Sequence, residues 1–471
     1  MNDGNGAARR KVLVAAGIGN FVEWYDSGLY ALFATTIATV FFPKSDPTAA
    51  LMSTFAIFAL GYVTRPLGGV VFGHLGDRYG RRFTLLLSVM LMSAGTVAMG
   101  MLPSYAQIGI AAPVLLVLCR LVQSFSAGGE YTGSNIFVIE HAPSGRRGLY
   151  ASISPAVSYT PVVVGVLVAE VMTSTTTPEQ LTAWGWRVPF LAAAPLALVG
   201  LYLRWRVDES PEFAALRAQG KLESAPLKQA FKVAKGPMLI LIGWAMAYAV
   251  AVFLLGTFIL SYLTVTVKFS KTESLTVQLV FALVVMVAFV LAGYGIDRVG
   301  LKRMAVASAL ALGAWAVPTF ILLQHASVLT ASLVVAVCAV FFGGLGSTTV
   351  LAAVDLFPAR IRASASGMAY NVCLLAFGST APYVATWLIS EGNRLAPGYY
   401  LAGVCAVAAI VAAFGIGNHA PSQPLERCDT SMEPANVAGQ SGSARVLINR
   451  SSFSSKQPSP RTNSKLNEKI I

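Results

Sequence analysis

The segment G-H-L-G-D-R-Y-G-R-R at Gly73–Arg82 returns in altered form as G-Y-G-I-D-R-V-G-L-K-R at Gly293–Arg303, 220 residues downstream (73 to 293). The alignment pairs Asp77 with Asp297, Arg78 with Arg298, Gly80 with Gly300 and Arg82 with Lys302. Each copy is a short charged insert between two long apolar runs. A duplication on this scale points to a membrane protein built from two related halves, an arrangement common among transporters.

The apolar runs are long enough to cross a bilayer, at ~20 residues each. They fall at 12–40, 51–73, 83–102, 108–138, 149–171 and 186–205, and again at 237–263, 273–294, 305–324, 329–353, 364–390 and 398–417. Six plus six agrees with the repeat, so the expected fold is all-α, with twelve transmembrane helices in two six-helix bundles. Residues 1–11 form a polar start, 12–205 the first bundle, 206–236 a polar linker, 237–417 the second bundle and 418–471 a Ser- and Pro-rich tail that reads as disordered. The chain is 55% hydrophobic and 12% charged, against roughly 25% charge in soluble domains.

Lys and Arg outnumber Asp and Glu by 34 to 21. The basic residues sit in short clusters between apolar spans, which argues for membrane orientation and against nucleic acid. With the N-terminus inside, the inner loops hold twenty Lys or Arg and the outer loops five (Lys44, Arg187, Lys268, Lys271, Arg394). Both termini therefore face the cytoplasm, in a multi-pass protein of the plasma (inner) membrane. The polar Met1–Arg10, and Glu23 and Asp26 in the first apolar run, argue against a cleavable signal peptide. Five scattered cysteines offer neither metal spacing nor a disulfide framework. No H-E-x-x-H, P-loop or nucleophile elbow occurs, so an enzyme, a metal site or a cofactor has no basis in the sequence.

Ionisable residues at membrane depth default to functional hypotheses. Span one carries Glu23 and Asp26, span two Arg65, and span four Arg120 and Glu130, whereas spans seven to twelve carry no charge away from their ends. At ~1.5 Å per residue, Glu23 and Arg120 both fall near the midplane. Glu23 and Asp26 are three apart and share one helix face. Two pairings are expected: Glu23 and Asp26 with Arg120 at the centre, and Glu130 with Arg65 in the inner half. Gln123, one turn from Arg120, completes a polar site, and Trp24, Tyr25, Tyr370 and Asn371 are candidate cavity-lining residues. Each has a plainer reading as packing. Gly128 and Gly129 permit close helix approach.

G-N-F-V-E-W-Y-D (Gly19–Asp26), R-P-L-G-G (Arg65–Gly69), R-L-V-Q-S-F-S-A-G-G-E-Y-T-G (Arg120–Gly133), W-G-W-R-V-P-F (Trp184–Phe190), D-E-S-P-E-F (Asp208–Phe213) and D-L-F-P-A-R-I-R-A-S (Asp355–Ser364) occur in order on the expected spans. With the loop Gly73–Arg82, they resemble the major facilitator superfamily and, within it, the metabolite:proton symporter family of proline/betaine, α-ketoglutarate, citrate and shikimate transporters. The resemblance implies that Gly73, Gly76, Asp77, Arg78, Gly80, Arg81 and Arg82 latch the two bundles on the cytoplasmic side. The three glycines would give a tight turn and close approach, and Asp77 would cap a helix or hold an arginine. In the second copy, with Asp297 and Arg298, Leu301 interrupts the basic pair and Ile296 replaces Gly76, so a weaker latch is expected. Ser27, Ser124 and the start of span five depart from the family's pattern, and the tail lacks the heptads of the osmosensing branch.

The function expected is proton-driven symport of a small organic acid or zwitterion by a monomer in the lipid bilayer, without a cofactor. Glu23, Asp26, Arg120, Gln123, Glu130 and Arg65 would carry protons and substrate. The alternatives are a proton-antiport exporter of drugs or metabolites, and a non-transporting sensor with the same fold.

Overall fold

A computed structural model describes residues 21–417, except 22–23, 27, 44–45, 80, 129–134, 137, 140–141, 144, 196–197, 200–201, 203–233 and 358–360, and except the side chains of 73–74, 76–79, 81–82, 84–85 and 363. Among the described residues, eight helices are long and apolar enough to cross a membrane; Leu86–Met101 and Ala111–Ser126 are shorter apolar helices. Ordinary capping chemistry starts several of them. Asp46 accepts from the amides of Thr48 and Ala49 ahead of Pro47, and Ser270 with Glu273 forms a capping box at the start of span eight. Span eight, Lys271–Val299, exceeds its sequence window at both ends, because helical hydrogen bonding persists beyond the apolar stretch.

The charged insert at Gly73–Arg82 is not the expected loop. Helix continues through Gly73 and Gly76 to Tyr79, and the next helix begins at Arg81. The second copy has the same form: span eight ends at Val299, span nine begins at Leu301, and Gly300 alone joins them at φ +91°. Only glycine enters that region without a steric penalty.

Small residues set the helix separations. In span ten, Val328–Asp355, a Cβ on Gly343 would lie 2.7 Å from the carbonyl carbon of Ala288, and one on Gly344 would lie 2.7 Å from the Ser308 Cβ. A Cβ on Gly346 would collide with the Phe289 ring. Span ten is thus seated on the backbone of span eight and on the Ser308 side chain of span nine. Gly128 lies against the Arg65 carbonyl and the Gly69 amide, the close approach expected of it. At the end opposite the arginine clusters, fully buried Trp186 meets Phe41 and Phe190 edge-on, and Arg187 Nη1 donates to the carbonyls of Gly100 (2.9 Å) and Leu102 (2.5 Å). That segment therefore caps span three.

Several helices depart from α geometry among the described residues, span two with a 3-10 turn at Tyr62–Thr64 among them. Span one is interrupted at Phe33 (φ −103°, ψ 13°). Span seven opens into π turns at Leu254–Phe258 and Leu263–Val267, and span eleven into one at Leu374–Gly378. Single-turn π segments often mark functional positions, and the first of these borders the central cavity described below.

Gly343→Leu should lower stability by about 1–3 kcal/mol through overpacking, read as a fall in the midpoint of thermal unfolding in detergent. Gly403→Leu, where an added Cβ meets nothing within 4 Å, should leave it unchanged.

Candidate functional site

Four polar side chains from spans one, three and four meet in an otherwise apolar interior. Asp26 (3% exposed) lies 3.7 Å from Nη1 of Arg120 (1% exposed). Gln123 bridges the pair: its Nε2 donates to Asp26 Oδ1 at 2.8 Å, and its Oε1 accepts from Arg120 Nη1 at 3.1 Å. The Thr96 hydroxyl also lies 2.7 Å from Asp26 Oδ1 and 3.0 Å from the Met92 carbonyl. The Arg120 guanidinium is stacked against the rings of Tyr30 (4.7 Å) and Phe58 (4.9 Å). Desolvated cation–π contacts of this kind contribute ~2 kcal/mol. The arginine is therefore held by one carboxylate, one amide and two ring faces.

Beyond the Phe58 ring is a cavity of about 40 Å³, room for a few waters. Spans one and five form one side through Trp24, Gly28, Ala31, Leu32, Tyr159 and Val162, and span seven forms the other through Val252, Phe253, Gly256 and Thr257. Four of its lining side chains are aromatic: Trp24, Phe58, Tyr159 and Phe253. A Cβ on Gly28 or Gly256 would meet nothing within 4 Å, so these two glycines leave the space open. Rings close the seam between the sequence halves around it. Phe253 meets Phe58 (5.4 Å) and Tyr62 (5.5 Å), and Tyr159 meets Phe281, Phe289 and Phe342.

At the arginine-rich end the halves are joined by charge. Asp297, in the last turn of span eight, accepts from the amides of Gly148 (2.6 Å) and Leu149 (3.0 Å). These amides open span five, Arg147–Ser158 continuing through Thr160–Thr175. A carboxylate there satisfies free donors and opposes the positive end of the helix dipole. Arg147 pairs with Asp355 at the end of span ten (2.6 Å). The approach requires glycine: a Cβ on Gly148 would lie 2.6 Å from the Gly293 carbonyl oxygen.

The expected site residues fall into distinct groups. Asp26, Arg120 and Gln123 are brought together, and Trp24 lines the cavity. Tyr25 does not line it: the side chain stacks on Phe21 and donates to the Pro189 carbonyl (3.4 Å), toward span six. Asn371 is likewise engaged elsewhere, donating to the Gly128 carbonyl across the seam (2.9 Å), and Tyr370 borders a separate cavity of about 10 Å³ with Asn135 and Thr349. Arg65 is buried with its guanidinium over the Tyr62 ring. Glu23, Glu130 and Gly80 lie outside the described residues, as do the side chains of Asp77, Arg78, Arg81 and Arg82. Arg298 is exposed and makes no ion pair among the described residues. Sequence reasoning missed Thr96, Tyr30 and Phe58; a hydroxyl or a ring on an apolar helix has the same pattern as packing. Among the described residues, no group of three His, Cys, Asp or Glu could hold a metal ion.

Residues 16–379 match the family model described as Major Facilitator Superfamily. The chain is 36% identical over 417 residues to the proline/betaine transporter of Salmonella typhimurium, covering 85% of this chain and 82% of that protein. It is 36% identical over 423 residues to the glycine betaine/proline/ectoine/pipecolic acid transporter OusA of Dickeya dadantii, covering 86% and 83%. Among solved structures, the proton:xylose symporter XylE bound to 6-bromo-6-deoxy-D-glucose superposes with a TM-score of 0.67 at 18% identity, covering 86% of this chain and 95% of that one. A partially occluded inward-open XylE from E. coli gives 0.69 at 18% identity, covering 85% and 96%.

Removing one member of a buried ion pair strands the other, at a cost of about 3–5 kcal/mol. Asp26→Ala should therefore destabilise the protein by that order. Asp26→Asn keeps an acceptor for Thr96 and Gln123 and should cost less, and Asp26→Asn combined with Arg120→Gln should recover part of the loss. Thermal unfolding of the three variants in detergent checks the order.

Proposed function

The chain belongs to the Major Facilitator Superfamily, whose members are secondary transporters in membranes, and on that premise we propose that it imports a small zwitterion of the proline/betaine class together with protons. The observation that carries this reading is the central cavity with its four aromatic rings and two unfilled glycine positions. Aromatic faces attract alkylated ammonium groups through the ring quadrupole. A wall of this kind suits a compact cation-bearing solute better than a dicarboxylate. The named solutes of the relatives at 36% identity agree with it.

In this reading, Asp26 is the proton acceptor. Ionised, it accepts from Thr96 and Gln123 and balances Arg120. Protonated, it no longer balances Arg120, and the link between spans one and four loosens. Protonation is thus converted into helix mobility beside the cavity, from which Arg120 is separated by Phe58.

The positive-inside count puts the arginine-rich end in the cytoplasm, with both termini. Asp297 on the start of span five and Arg147 on Asp355 then form a cytoplasmic gate between a first bundle at 12–205 and a second at 237–417. By the internal repeat, Asp77 is assigned the matching role for the first bundle. A cavity of about 40 Å³ is too small for proline or betaine, so cargo enters and leaves only as the bundles rock apart at one end or the other. The protein acts as a monomer of the plasma membrane.

In proteoliposomes with an acidic exterior, the protein should accumulate proline or glycine betaine and acidify the lumen as it does so. Solute leaving against inward proton flow would instead make it an antiporter, and binding without movement a sensor. Asp26→Asn should abolish the response to the proton gradient while retaining solute exchange at equal pH; gradient-driven uptake at the wild-type rate would remove Asp26 from the coupling. Asp297→Ala should open the cytoplasmic gate, seen as faster maleimide labelling of a Ser152→Cys probe in inside-out vesicles.

A further inference from the structure

Lys271 opens span eight at the end opposite the arginine clusters. A lysine at the end of a membrane helix normally extends its ammonium outward to water. This one reaches inward, and its Nζ donates to the Leu32 carbonyl of span one at 2.5 Å, immediately before the interruption at Phe33. No carboxylate pairs with it among the described residues. Glu273, two residues on, is exposed and turned back onto the Ser270 amide (2.8 Å). A carbonyl accepts one proton of an ammonium but does not balance its charge.

The same face of span eight continues at i+3 and i+7 with Ser274 and Gln278, both fully buried. Gln278 Nε2 donates to the Gly256 carbonyl at 3.2 Å, and its Oε1 has no hydrogen-bond partner. Leu32 and Gly256 both line the central cavity. Two polar side chains of the second half therefore rest on backbone carbonyls of the cavity wall, one with an unbalanced charge and the other with an unused buried acceptor. Lys271 is part-buried and Gln278 fully buried, and an ammonium without a counter-charge beside an unused acceptor is a place that a polar ligand can complete. Arg120 does not supply the missing cation, because it is closed off behind Tyr30 and Phe58, with its Nη1 held by Asp26 and Gln123.

We propose that Lys271 is the seat of the cargo's carboxylate. In the contracted state its ammonium is parked on the Leu32 carbonyl; an entering carboxylate takes the ammonium from Leu32 and supplies the missing counter-charge, while the aromatic wall receives the ammonium end of the solute. Proton and cargo charge are then handled by different halves, Asp26 and Arg120 in the first and Lys271 in the second. The inference deepens the proline/betaine reading and rests on it for the identity of the cargo.

The test compares wild type, Lys271→Met and Lys271→Arg with glycine betaine, and with choline, which keeps the trimethylammonium group but has an alcohol in place of the carboxylate. A charge-assisted hydrogen bond corresponds to ~10–100-fold in affinity. Lys271→Met should raise the KM for glycine betaine by that factor and abolish the preference for glycine betaine over choline as a competitor; Lys271→Arg should retain both. An unchanged KM in Lys271→Met, or a fall in maximal rate alone, overturns the proposal and leaves Lys271 a purely structural tie. If wild type takes up neither proline nor glycine betaine, heat stabilisation by 2-oxoglutarate separates the two readings. Stabilisation that Lys271→Met loses overturns the cargo class and keeps the carboxylate seat. Stabilisation that Lys271→Met retains, or none in wild type, overturns the seat.

Discussion

An arginine buried in the middle of an apolar helix assembly has to be answered where it stands, because no water can reach it and it does not give up its charge. Arg120 recruits a carboxylate from span one, an amide from its own helix, and the faces of Tyr30 and Phe58. Thr96 of span three completes the group through Asp26. Four spans are thereby fixed to one another around a single charge. Phe58, whose ring lies against the guanidinium, also lines the central cavity. The buried charge and the cavity consequently share one aromatic residue as neighbour.

The two halves contribute differently. The buried Asp26–Arg120 pair belongs to the first half, and in the second Gly343, Gly344 and Gly346 seat span ten against spans seven, eight and nine. Between the halves, carboxylate contacts and a buried apolar cluster that includes Ile139, Ala151, Ile296 and Val354 meet at the arginine-rich end, and aromatic rings meet around the cavity. Carboxylate–amide and carboxylate–guanidinium contacts lose strength once separated and hydrated, whereas rings can slide against one another with little loss. A seam built this way can part at one end and roll at its centre.

Much of this was legible in the sequence because membrane burial leaves long signals. Apolar windows locate the spans, the repeat relates the halves, and a lone Arg120 opposite Asp26 stands out in an apolar field. The misses have a common cause: sequence places a residue on a helix but does not say where its side chain points. Lys271 reads as an outer-end charge, yet its ammonium turns inward. Tyr25 and Asn371 read as cavity lining, yet one meets Pro189 and the other Gly128. Gly73 and Gly76 read as a turn, yet both lie within a helix, because glycine is permitted in either and the neighbouring turns carry it through. Asp297 reads as part of an eroded copy, yet it holds two amides of the opposite half.

Gly300 has a mechanical meaning. Two helices of 29 and 23 residues meet through one residue, and a linker of that length contains no slack. Whatever displaces the Asp297 end of span eight must carry the start of span nine with it, as the two arms of a bent lever share a pivot. A connection of several residues would absorb such a shift in its own torsions. Release of the Asp297 carboxylate from the tip of span five would be passed directly to the paired helices behind it.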